Sequence, residues 1–165
     1  MKTRTQIFCA VPAALALVLA GLGPASAAEP AEMPANVIEV EKAPPGAPVV
    51  VSDGEKAAEQ AARKYCGGNA WAPVGSIWGK AARSNCAFIG TTKTVKKTYR
   101  WDVSGWSNGR VCVKVRGYNT KAKEFWASGG CGKSGSVTVS WGNVSSVPAL
   151  KAKSLTTAGV PVDFQ

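Results

Sequence analysis

The chain has 165 residues, a formal charge of +10, five cysteines and no histidine. The missing imidazole excludes a Ser-His-Asp or Cys-His relay and any histidine-built zinc or copper site, and with them the commonest acid-base enzymes.

Residues 1–28 read as a secretory signal peptide. Lys2 and Arg4 precede an apolar stretch from Ile7 to Leu22, and Ala25-Ser26-Ala27-Ala28 supplies small residues for cleavage after Ala27 or Ala28. That stretch is short for a membrane span and no positive stop follows it, so the expectation is a secreted chain with no membrane insertion. Cys9 leaves with the signal, and four cysteines remain.

Residues 29–51 read as an extended, acidic, proline-rich arm. From Glu29 to Glu59 the acids Glu29, Glu32, Glu39, Glu41, Asp53, Glu55 and Glu59 face only Lys42 and Lys56, a balance of −5. From Gln60 onward sixteen Lys and Arg face Asp102, Glu124 and Asp163, a balance of +13. Prolines fix φ and remove donors, and the arm's apolar residues come in two short bursts, so it cannot bury a core of its own. The bursts are Val37-Ile38-Glu39-Val40 and Pro48-Val49-Val50-Val51, β-branched and extended by preference. Val37, Ile38, Val40, Val49, Val50 and Val51 are therefore the candidate partner-binding residues, suited to strand addition on a sheet edge or in a partner's groove. Two other readings stay open: the arm lies on its own basic domain, held by opposite charge, or it is a flexible spacer.

Residues 52–65 suggest one short helix. Ser52-Asp53-Gly54-Glu55 has capping-box spacing, Ala57, Ala58, Ala61 and Ala62 continue it, and Gly67-Gly68 supplies a stop.

Residues 66–165 read as a basic β domain. Val111, Val113 and Val115 alternate with Cys112, Lys114 and Arg116, and Val137, Val139 and Trp141 alternate with Ser136, Thr138 and Ser140. A longer extended run covers Thr91 to Val103, and Ser107-Asn108-Gly109 provides a turn after it. Further strands are expected at Cys86 to Ile89, Glu124 to Ser128, Ala149 to Leu155 and Val160 to Phe164. The whole is mainly β: a small disulfide-stapled β-sandwich or barrel, preceded by the extended arm and the short helix. Four cysteines in an exported chain allow three disulfide connectivities. Cys66–Cys86 with Cys112–Cys131 is preferred because each bridge then closes a loop of roughly 20 residues, worth about 3 kcal/mol; the crossed pairings remain open. A four-thiolate zinc site is the competing use, but no CxxC pair is present and the compartment is oxidising, so neither a metal nor another cofactor is expected.

Catalysis by carboxylates would have to draw on Asp102, Glu124 or Asp163, the only acids of the basic domain, and three carboxylates among sixteen cations are more often structural. Gly130-Cys131-Gly132-Lys133-Ser134-Gly135-Ser136 departs from a phosphate loop: Ala127 stands where its first glycine belongs and a strand pattern follows in place of a helix. It reads as a glycine-rich turn around a disulfide. Six tryptophans, Trp71, Trp78, Trp101, Trp106, Trp126 and Trp141, are many for this size; a thin β core should bury about four and leave one or two available. Lys93, Lys96, Lys97, Arg100, Lys114 and Arg116 are candidates for one positive face that steers an acidic partner, or merely keeps the chain soluble.

The run from Gly105 to Val113 (GWSNGRVCV), Arg116-Gly117-Tyr118, Trp126 to Cys131 (WASGGC), Ser134-Gly135-Ser136 and Trp141-Gly142-Asn143-Val144 together resemble a group of small exported actinobacterial proteins with a two-disulfide β domain. An extended arm ahead of such a domain is similar to the adaptor subunit of umbrella toxin particles. That resemblance implies an arm inserting into the cleft of a degenerate protease-like domain on a lectin-bearing subunit, through a segment somewhere in Val37 to Val51. It also implies a globular part that contacts the large toxin. The expected function is thus a secreted, non-enzymatic adaptor whose partners are other secreted proteins, with nucleic acid the less favoured partner. The alternatives are a secreted peptidase inhibitor and a carbohydrate- or cell-wall-binding module.

Overall fold

A computed structural model describes residues 35–52, 66–105 and 107–165. The signal-peptide segment 1–28, the start of the arm, Trp106 and the helix expected at 52–65 (apart from Ser52, which lies in a turn) fall outside the described residues. The described residues form twelve strands: β1 (Ile38–Glu39), β2 (Val49–Val51), β3 (Gly68–Ala72), β4 (Ala82–Arg83), β5 (Ala87–Ile89), β6 (Lys96–Val103), β7 (Val111–Tyr118), β8 (Glu124–Gly132), β9 (Ser134–Ser140), β10 (Val144–Ser146), β11 (Ala149–Ser154) and β12 (Val160–Phe164).

They build three four-stranded sheets, ordered β4-β11-β7-β8, β3-β12-β6-β9 and β1-β10-β5-β2. None closes on itself, so the sandwich half of the expectation holds and the barrel half does not. The first two sheets face one another across a single core. Val111, Val113 and Val115 of β7 and Leu150 and Ala152 of β11 point inward against Tyr99, Trp101 and Val103 of β6 and Val160, Val162 and Phe164 of β12. The period-2 alternation of each strand decides this, because successive side chains leave opposite faces of a sheet. In β6 the buried Tyr99, Trp101 and Val103 alternate with exposed Thr98, Arg100 and Asp102.

Two core side chains are hydrogen-bonded across the layers. The Tyr99 hydroxyl donates to the Arg116 carbonyl at 2.9 Å, and the Trp101 indole donates to the Gly129 carbonyl at 3.2 Å. Trp141 is fully buried, meets Tyr118 and Phe88 edge-on at 5.1 and 5.3 Å, and donates to the Val144 carbonyl at 2.8 Å. Among the described tryptophans Trp101 and Trp141 are buried, Trp78 and Trp126 are half-buried and Trp71 is exposed. The expected four buried indoles are therefore two among the described residues, because valines and tyrosines occupy most of the inward positions.

The segment around Cys131 is a tight corner. β8 ends at Gly132 and β9 begins at Ser134, so one residue, Lys133, carries the chain from one layer to the other. Gly130, with φ of 89°, sits at a register shift between β7 and β8 where only glycine is comfortable. Disulfides join Cys66 to Cys86 and Cys112 to Cys131, the second pair directly opposite one another on β7 and β8. Of the three connectivities the chain adopts the sequential one. This pairing is consistent with an oxidising compartment. No helix among the described residues is long and apolar enough to cross a membrane.

Candidate functional site

The third sheet is where the arm meets the domain. β1 lies parallel to β10, with Ile38 opposite Val144 and Glu39 opposite Ser145, and β2 lies parallel to β5, with Val49, Val50 and Val51 opposite Ala87, Phe88 and Ile89. The valine-rich bursts have the extended backbone their β-branching favours, and their amides are used accordingly. Ile38 N–H donates to the Asn143 carbonyl at 2.7 Å and Val40 N–H to the Ser145 carbonyl at 3.1 Å, while Ser52 N–H donates to the Ile89 carbonyl at 2.9 Å. Between the two strands, Pro44-Pro45-Gly46-Ala47 forms a reverse turn closed by Ala47 N–H to the Pro44 carbonyl at 3.0 Å. Gly46 supplies the positive φ of 77° that such a turn requires after proline. The Pro45-Gly46 pair is the sequence signal for this turn.

One carboxylate locks the arm down. Glu41 pairs with Arg83 at 2.7 Å and with Arg116, whose guanidinium also donates to the Val147 carbonyl at 3.1 Å and pairs with Glu124 at 3.3 Å. Burial works against the Arg116 charge; the neighbouring Tyr118, the Glu41 hydrogen bond and the Glu124 carboxylate outweigh it, and its pKa is raised. Of the readings open for the arm, its described part takes the one in which the arm lies on its own domain.

Lying on the domain does not consume the arm's side chains. Among the described residues, both arm strands are edges of the order β1-β10-β5-β2, each with a neighbour on one side only. Ile38, Val40, Val49 and Val51 remain 36–46% exposed, while Val37 and Val50 are half-buried. Among the described residues, the two flanks of one small sheet thus set strand edges with no further strand beside exposed branched side chains, the arrangement that accepts an added strand.

The basic residues do not form one face. Lys96 and Arg100 project from β6 on the outside of one layer, whereas Lys114 and Arg116 lie on the outer side of β7 in the opposite layer. Lys93 is exposed ahead of β6, and the Lys97 ammonium lies over the Phe88 and Tyr99 rings at 5.6 and 5.4 Å. Lys96, Lys97 and Arg100 border a cleft of about 420 Å³ whose other walls include Val50 and Phe88. Arg116 is buried and neutralised by two carboxylates, so it offers no free charge to a partner. The single positive face fails because β6 and β7, although consecutive, belong to sheets packed inner face to inner face.

In its place stands a set of residues that the sequence reading did not assemble. The outer face of β7 and β11 carries Lys114 directly opposite Lys151, with Lys153 two residues further along β11. Two indoles frame them. Lys114 and Lys153 lie over the Trp78 ring at 4.7 and 5.2 Å, and Lys151 lies over the Trp126 ring at 4.1 Å. Trp78 reaches this face because the loop behind it is tied to β11, Gly79 N–H donating to the Ala152 carbonyl at 2.8 Å. Trp126 is fixed by its indole N–H, which donates to Glu124 at 2.8 Å. The alternation Ala149-Leu150-Lys151-Ala152-Lys153-Ser154 was the available signal for the two lysines on β11.

No cluster of three or more metal-ligating side chains occurs among the described residues. No protein-family model, curated protein or solved structure matches the chain.

Proposed function

We propose that this protein is a secreted, non-enzymatic adaptor that binds a partner protein through the sheet capped by its own arm. The observation that carries the reading is the pair of arm strands at the two edges of the β1-β10-β5-β2 sheet, with Ile38, Val40, Val49 and Val51 turned partly to solvent. An edge strand with exposed β-branched side chains is normally blunted by charge, proline or a bulge, since it templates association. Here the arm's own strands create two edges, of which β2 (Val49–Val51) carries neither charge nor proline while β1 includes Glu39. A more specific form of the reading follows from the resemblance to umbrella toxin adaptors: the partner at the arm would be a lectin-bearing subunit with a protease-like cleft, and the β domain would contact a toxin subunit of an antibacterial particle.

The test is capture from culture supernatant with the tagged, full-length chain and with a variant carrying Ile38→Ser, Val40→Ser, Val49→Ser and Val51→Ser. These substitutions leave every backbone hydrogen bond of the arm available. The reading predicts a partner captured by the native chain and lost from the variant. The same set of proteins captured by both, with the variant folded by near-ultraviolet circular dichroism, refutes it.

A further inference from the structure

We infer that the outer face of β7 and β11, where Lys114, Lys151 and Lys153 sit between Trp78 and Trp126, is a second docking site, and that its ligand is an extended acidic segment of a partner polypeptide. The site lies on a different sheet from the arm edges and stands or falls independently of them.

Like charges directly opposite on neighbouring strands repel, and native sheets usually interpose an acid. Lys114 and Lys151 are such a pair, Lys153 adds a third positive charge, and among the described residues no carboxylate lies within ion-pairing distance of any of the three. Their stems are half-buried and their ammoniums rest on indole rings, which restricts their motion and lowers the entropy lost when a ligand anion is bound. The charges are held in place but not neutralised.

Three features select the ligand. The lysines themselves cover the two rings, which disfavours stacking of a sugar or a nucleobase there. Lys151 and Lys153 are two residues apart on one strand, a spacing of roughly 7 Å, which an extended peptide with acids at alternate positions reproduces. The same face also already holds a carboxylate: Glu41 of the arm, at a bend just after β1, is seated on Arg83 and Arg116, and Arg116 is two residues along β7 from Lys114. The arm thus occupies one end of a basic track, and among the described residues no carboxylate pairs with the lysines at its other end.

The probe is an alternating Ser-Glu octapeptide, titrated into the disulfide-bonded protein while tryptophan fluorescence is followed. Binding should quench the signal. Lys114→Gln, Lys151→Gln and Lys153→Gln together should weaken it by about tenfold or more, and Trp78→Phe by a few fold. Lys93→Gln, Lys96→Gln and Arg100→Gln, which remove the same charge from elsewhere on the domain, should change it by less than about twofold. Equal loss in both triple variants would show that net charge alone attracts the peptide and would overturn the site. So would tighter binding of inorganic polyphosphate or oligothymidylate of the same charge at Lys114, Lys151 and Lys153, or no quenching at millimolar peptide.

Discussion

Glu41→Gln isolates the contact that fastens the arm. The native carboxylate faces Arg116, whose side chain is 8% exposed, and Arg83, which is 64% exposed. The Arg83 half is a surface pair and contributes at most about 0.5 kcal/mol. The Arg116 half is different, because taking one partner from a buried ion pair costs about 3–5 kcal/mol when the remaining charge has nothing else. Arg116 keeps Glu124 at 3.3 Å and the Val147 carbonyl at 3.1 Å, and a glutamine at position 41 still offers an acceptor. That halves the loss, to about 2 kcal/mol, or a fall in Tm of roughly 5–10 °C for a domain of this size. Urea denaturation reads the global loss. Amide exchange at Ile38 and Val40, whose N–H groups bond to Asn143 and Ser145, reads the local one. Opening of the arm should become about 10- to 30-fold more frequent, with deep β7 amides changing only as far as global stability does. Unchanged exchange at Val40 together with unchanged stability would refute the clamp.

Tyr99 and Tyr118 both titrate above the ordinary phenol range because burial disfavours the phenolate. The unfolded phenols ionise near pH 10, so the stability each phenol contributes is complete below that pH and falls as pH rises through it. Urea midpoints measured from about pH 8 to 11 should show this decline, with Tyr99→Phe and Tyr118→Phe each making it shallower; a flat profile contradicts it. Gly135→Ala would place a methyl group 2.7 Å from the Trp101 ring, which is itself held by the Gly129 carbonyl. It should cost about 1–3 kcal/mol in denaturant unfolding, and a neutral effect would mean that Trp101 moves freely.

Much of the sandwich was legible because alternation reports a buried face directly. The valines of β7, the Tyr99-Trp101-Val103 series of β6 and the Val160-Val162-Phe164 series of β12 all mark inward positions. β3 gave no such signal: Gly68-Asn69-Ala70-Trp71-Ala72 is poor in β-formers, yet it pairs with β12 along its whole length and buries Ala70 and Ala72 where little room is left. The basic face failed for a related reason. Alternation tells which side of a strand is outward but not which sheet the strand joins, and β6 and β7 join different ones. Lys114, Lys151 and Lys153 converge only once β7 and β11 are known to be neighbours, and Trp78 only once its loop is tied to β11. The arm was recognised by composition, while its parallel pairing with β10 and β5 depends on where those short strands end up.

An arm that both completes the sheet and exposes its edges gives the adaptor reading a clear observable. Amide exchange on the captured complex, compared with the free chain, addresses it most directly. The reading predicts that amides of residues 37–51 are further protected when the partner is bound, with β6 and β9 unaffected. Protection confined to other surfaces, with residues 37–51 exchanging as they do in the free chain, would contradict it.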